Sequence, residues 1–87
     1  MRMERDICIL GVLVEGRSDH APEVQEVFTR YGSQILCRNG IPDPGRERGI
    51  ITLTMQARED ERERLEKELG SIKGVKVRSV CLTEAIE

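Results

Sequence analysis

Ile7-Cys8-Ile9-Leu10-Gly11-Val12-Leu13-Val14 is apolar at odd and even positions alike, with Gly11 its only break. A run with no polar face predicts a central strand covered on both sides. A turn follows over Glu15–Asp19. Val24, Val27, Phe28 and Tyr31 then recur at i, i+3, i+4 and i+7, the stripe of an amphipathic helix. Pro22 suits the first turn of that helix, Ser18 or Asp19 its cap, and Gly32 a left-handed C-terminal stop. Two short β runs come next, Gln34–Arg38 and Gly49–Gln56. They are separated by a loop of about eight to ten residues, long for a hairpin. Pro42 and Pro44 stiffen it, and Asn39, Gly40 and Gly45 supply turn geometry. Ala57–Gly70 reads as a second helix with Leu65, Leu69 and Ile72 on one side and a solvated charged face on the other. Val75–Leu82 alternates. Val75, Val77, Ser79 and Cys81 share one face, and Lys76, Arg78, Val80 and Leu82 the other. Thr83–Glu87 is a short tail.

The order β-α-β-β-α-β predicts an α+β, ferredoxin-like domain spanning residues 1–87. Its four-stranded antiparallel sheet carries both helices on one face, with the first and third strands central. The second face then lies open, yet strand one is apolar on both sides and Ile50, Ile51, Leu53 and Met55 make strand three nearly so. An apolar face of that extent predicts self-association, with two-fold symmetry the default.

Length strengthens this expectation. A chain of 87 residues buries only about 60–65% of its unfolded surface and gains from a partner, a metal or cross-links. Cross-links are not expected. The cysteines are odd in number (Cys8, Cys37 and Cys81), none lies in a Cys-x-x-Cys pair, and each sits in an apolar run. Cys8 and Cys81 read as small buried hydrophobes. Met1–Asp6 is charged and leads straight into a strand, unlike a secretory signal. No apolar run approaches the ~20 residues of a membrane span. The expectation is a reduced, cytoplasmic chain. Net charge is −2 with both signs interleaved, without the basic footprint that phosphate binding requires. Phe28 and Tyr31 are the only aromatic residues, which excludes a base-stacking platform.

Catalytic chemistry finds no foothold. There is no phosphate loop, and carboxylates cluster only in charged helical segments. His20 and Cys37 match no nucleophile signature. The chain reads as a non-enzyme. One histidine and scattered cysteines cannot complete a metal site within one chain, so Cys37 and His20 are metal candidates only across subunits. Cys37 has Arg38 beside it, and a nearby cation favours a thiolate. The loop offers more. Gly40 and Gly49 permit close backbone approach, while Arg38, Arg46 and Arg48 bring charge suited to a small anion or carboxylate. The candidate ligand-binding residues are Arg38, Asn39, Gly40, Pro42, Arg48 and Gly49.

Three stretches carry a resemblance: Cys37-Arg38-Asn39-Gly40-Ile41-Pro42 followed by Gly49-Ile50-Ile51-Thr52-Leu53, the start Ile9–Glu15, and the end Leu69–Val77. Over residues 7–83 the chain resembles the small iron-only hydrogenase system regulators. The resemblance implies an ACT-like variant of the ferredoxin-like fold, similar to the C-terminal domain of nickel-responsive regulators. It implies homodimers or homotetramers and a small effector bound between subunits; a protein partner in hydrogenase regulation or maturation is a separate expectation. Two departures argue against direct DNA contact and nickel sensing. Met1–Asp6 is too short for a ribbon-helix-helix arm, and His20 stands alone where those regulators have a histidine-rich site. A metal-responsive module sharing its site between subunits, and a ligand-free adaptor, are the alternatives. The sequence does not identify a cofactor.

Overall fold

The structure, a computed structural model, describes residues 4–85, with the side chains of Arg17, Ser18 and Pro44 outside the description. The expectations for Met1–Met3 and the last two residues of the tail therefore fall outside it. The elements are β1 (Arg5–Glu15), α1 (Arg17–Arg30), β2 (Ile35–Asp43), β3 (Arg48–Arg58), α2 (Glu59–Gly70) and β4 (Val75–Glu84). The strands pair in the order β2-β3-β1-β4, antiparallel throughout. The two central strands are the two that the sequence marks as apolar on both faces. This is the expected ferredoxin-like arrangement.

The core occupies one side of the sheet. Even positions of β1 (Cys8, Leu10, Val12, Val14) meet Leu53, Met55 and Ala57 of β3, and α1 and α2 close over them with Val24, Val27, Phe28, Tyr31, Leu65 and Leu69. All are buried, so both helices lie on this face and their apolar stripes are as expected.

Several boundaries differ from the sequence reading. Helix α1 starts at Arg17, and Gly16 at φ 62 forms its N-cap without a side-chain bond. The left-handed glycine turns the chain directly from β1 into the helix, so Pro22 falls in the second turn rather than the first. At the other end Tyr31 is the C-cap. Gly32 is not among the positive-φ residues; the exit is a turn closed by Gln34 N–H donating to the Tyr31 carbonyl at 3.0 Å. Ala57 and Arg58 belong to β3, because Ala57 is still buried in the core. Helix α2 then starts with a one-way cap in which Arg58 N–H donates to Glu61 Oε1 at 3.0 Å. Glu59, Asp60 and Glu61 line its first turn, where the helix dipole favours negative charge.

The expected long loop is the larger correction. β2 runs on through Asn39, Gly40, Ile41 and Pro42 to Asp43, pairing Asn39 with Thr52, Gly40 with Ile51, Ile41 with Ile50 and Pro42 with Gly49. Only a 3-10 turn over Pro44–Arg46 and Glu47 remain between the strands. Pro42 is tolerated in the ladder because β2 is an edge strand, which hydrogen-bonds on one side only. The turn takes its left-handed residue at Glu47, φ 50, and not at Gly45.

The second correction is covalent. Cys8 and Cys81 form a disulfide, with Cα atoms 4.0 Å apart. The expectation that the chain lacks disulfides is overturned, as is the reading of these two residues as free apolar thiols. The antiparallel β1–β4 register sets them directly opposite each other. An odd number of cysteines leaves only one over, and that one is Cys37, free and exposed.

The open face is ordered in rows across the sheet. Ile41, Ile50, Leu13 and Lys76 form one row; Asn39, Thr52, Gly11 and Arg78 the next; Cys37, Thr54, Ile9 and Val80 a third. Ile41 and Val80 are 63% and 57% exposed, and Leu82 is 63% exposed. Two apolar patches therefore flank a polar middle row on a face that no helix covers.

Candidate functional site

The β2–β3 hairpin and the first half of α1 enclose a cleft of about 220 Å3. Position parity builds it. Gly40 and Pro42 pair with Ile51 and Gly49, and these residues point toward the helix side at the sheet edge. Val24 and Gln25 of α1 form the opposite wall, and Val14 closes the inner end. A Cβ at Gly40 would meet nothing within 4 Å, so the absence of a side chain there is part of the free space. Gln25 is the one polar side chain in the lining, and exposed backbone adds further polar surface. A volume of this size suits a small molecule or one side chain, since pockets for larger ligands run from about 300 Å3 upward.

Gly40, Pro42 and Gly49 of the candidate set thus come together in one wall. The other three do not join them directly. Arg38 lies on the same side of the sheet, over the Phe28 ring at 5.6 Å, a cation–π distance. Its Nη1 donates to Gln25 Oε1 at 3.0 Å, which ties the guanidinium to the residue forming the cleft wall. Arg48 is turned to Asp43, Nε to Oδ2 at 2.7 Å, and its charge is matched there. Asn39 lies on the open face opposite Thr52. The expected trio of arginines around exposed backbone is therefore dispersed. Arg38 sits against α1, Arg48 is salt-bridged, and Arg46 lies in the turn.

Sequence reasoning missed the α1 wall. Ala21, Val24 and Gln25 line the cleft from successive turns of the helix. Their i, i+3, i+4 spacing was the available signal, but without the hairpin register there was nothing to set against it.

The metal candidates are far apart in the fold. His20 packs at the start of α1 beside Gly16 and Gly74, near the β4 edge, and its Nδ1 lies 3.6 Å from Glu23 Oε1. Cys37 is on β2, the opposite edge. Among the described residues no three His, Cys, Asp or Glu side chains are grouped to hold a metal ion. Among them, too, no helix is long and apolar enough to cross a membrane.

Comparison with known proteins places this geometry. The structure of an uncharacterized protein, TM1266 from Thermotoga maritima, superposes with a TM-score of 0.88 at 32% identity, covering 92% of this chain and all of that one. A formyltetrahydrofolate deformylase from Pseudomonas putida KT2440 matches with a TM-score of 0.61 at 14% identity, over 86% of this chain and 28% of the enzyme. An unknown protein from Galdieria sulphuraria matches with a TM-score of 0.62 at 9% identity, over 95% of this chain and 48% of that one. The last two share the fold alone. Among curated proteins none matches. The family model described as "TM1266-like: Iron-only hydrogenase system regulator, putative" matches residues 6–79. With most of its length matched, and its fold superposing on TM1266, this chain belongs to the TM1266-like family of iron-only hydrogenase system regulators.

Proposed function

We propose that the protein is a non-catalytic regulatory module of the iron-only hydrogenase system, working as a homo-oligomer with a small effector held at the hairpin cleft. One observation carries this reading. Ile41 and Ile50 stand opposite each other on the open face, and the same two residues form the rim of the cleft. A second copy seated on the apolar face would touch that rim, so assembly and cleft occupancy are coupled by shared residues. The cleft's small volume agrees with a site that a neighbouring subunit completes.

In this reading Gly40, Pro42 and Gly49 form the effector wall. Arg38, through Gln25, and Arg48, through Asp43, set the charge at the two ends of the hairpin, with Asn39 on the subunit side. The module acts in the cytoplasm and controls transcription through a protein partner rather than by gripping DNA, in keeping with its net charge of −2.

Light scattering coupled to size exclusion tests the assembly, and a dimer or tetramer at micromolar concentration is the expected result. Ile50→Lys should shift it to monomer with the fold intact by circular dichroism. A monomeric parent protein would refute the reading. Gly40→Val fills the cleft from a position with free space, so it should abolish effector-induced thermal shifts while leaving the oligomer in place.

A further inference from the structure

We infer that the Cys8–Cys81 bond is a thiol–disulfide switch that fastens or frees the outer half of β4, and with it the Val80–Leu82 end of the open face. The inference does not depend on the effector cleft. It rests on where the bond sits and on how little else holds that half-strand.

β4 has two unlike halves. Its first half is anchored. Val75 is buried, Val77 packs on the core, and Ser79 Oγ donates to Glu66 Oε1 of α2 at 2.8 Å. Beyond Ser79 every residue from Val80 to Glu84 is exposed. That stretch is an edge strand, bonded on one side only, and its ladder to β1 shifts register between Ile7 and Cys8. An edge segment with an irregular ladder and no helix over it belongs to the low-stability end of a fold. The disulfide is its one covalent tie.

The two sulfurs are also differently placed. Cys8 is 1% exposed, whereas Cys81 is in an exposed segment. A dithiol reductant can therefore reach Cys81 and not Cys8. Its thiolate attacks the Cys81 sulfur, the S–S bond breaks, and Cys8 leaves as a thiolate that takes up a proton. The reductant's second thiol then displaces Cys81 from the mixed disulfide. The products are two cysteine thiols and the reductant's own disulfide, a transfer of two electrons and two protons. In a cytoplasmic setting disulfides are typically transient and redox-sensing rather than permanent, which fits a bond placed on a marginal edge. Reduction would free Val80 from its place opposite Ile9, and with it Leu82 at the register shift, and so change the apolar face that a second copy would meet.

The full chain is equilibrated in oxidised and in reduced dithiothreitol. Thiols are counted by maleimide labelling after denaturation, and amide hydrogen exchange is followed by mass spectrometry. The oxidised protein should label at Cys37 alone and the reduced protein at all three cysteines. Amides of residues 80–85 should exchange at least about tenfold faster when reduced, with β1 and β3 still protected. Cys81→Ser should show the fast pattern in both buffers. Three labelled thiols after oxidation, equal exchange in the two states, or a uniform rise across the sheet would each overturn the switch. If the variant fails to fold, the redox comparison on the parent chain decides alone.

Discussion

Arg48 Nε donates a 2.7 Å hydrogen bond to Asp43 Oδ2, and the two residues are the last cross-strand pair before the hairpin turn. The pair closes the hairpin and occupies the arginine that the sequence offered as an anion ligand. Both side chains are partly exposed, so the bond is screened. Asp43→Ala should cost less than about 1 kcal/mol in urea unfolding, and the loss should shrink at about 1 M salt. A salt-independent loss would point to the turn backbone instead.

Glu47 carries the left-handed backbone of the same turn, at φ 50. That conformation costs a side-chain residue about 1–2 kcal/mol. Glycine relieves it but adds roughly 0.5–1 kcal/mol of freedom to the unfolded chain. Glu47→Gly is thus expected to stabilise by roughly 0.5 kcal/mol, read as a higher urea midpoint with an unchanged slope.

Two glycines give opposite expectations. Gly74 lies at φ 82, and an added Cβ would stand 2.9 Å from the Glu15 carbonyl oxygen. Its own carbonyl accepts the Glu15 N–H at 2.8 Å, so the backbone cannot retreat without losing that bond. Gly74→Ala should cost at least about 2 kcal/mol. Gly11 faces empty space in the middle of β1. Gly11→Ala should be neutral or stabilise by roughly 0.5 kcal/mol. Chemical denaturation of the two variants side by side checks the contrast.

Burial raises the Tyr31 pKa above the ordinary 10.0, helped by the hydrogen bond and charge of Glu68 and opposed by Arg64 and Arg30. The folded state therefore holds the phenol proton longer than the unfolded chain. Stability from this group is full below about pH 10 and falls as pH rises through the folded value. Tyr31→Phe should flatten the alkaline limb of a stability–pH curve measured by urea unfolding. An unchanged limb would show that other groups set it.

The disulfide closes a loop with a sequence separation of 73. Chain entropy assigns such a closure about 4 kcal/mol, a large share of the roughly 5–15 kcal/mol that holds a domain together. Reduction should lower the unfolding free energy by about 2–4 kcal/mol, measured by denaturation with and without a dithiol.

Much of the fold was legible because one-dimensional periodicity records which side of an element is covered. Val24, Val27, Phe28 and Tyr31 could hardly share a stripe without being buried together, and β1 could not be apolar on both faces at a sheet edge. The hairpin was misjudged for a local reason. Asn39, Gly40 and Pro42 are turn formers by propensity, and only the pairing to β3 makes them strand. The Cys8–Cys81 bond was illegible because it depends on the register between the first and last strands. Of the candidate residues, Gly40, Pro42 and Gly49 were proposed from backbone permissiveness, and the fold sets them along one wall of the cleft. The partners of Arg38 and Arg48, Gln25 and Asp43, were not legible because they are set by side-chain direction rather than by spacing.

Ala85 N–H donates to the Arg5 carbonyl at 3.0 Å, at the end of the sheet remote from the Asp43–Arg48 hairpin pair. The polypeptide enters and leaves the fold through one corner. Anything fused or tethered there, such as a purification handle or a surface linker, starts at the end of the sheet remote from the cleft. An immobilised sample would thus present the hairpin to solution, while the handle itself would crowd the half-strand that the disulfide secures. Binding and redox measurements accordingly call for differently attached samples.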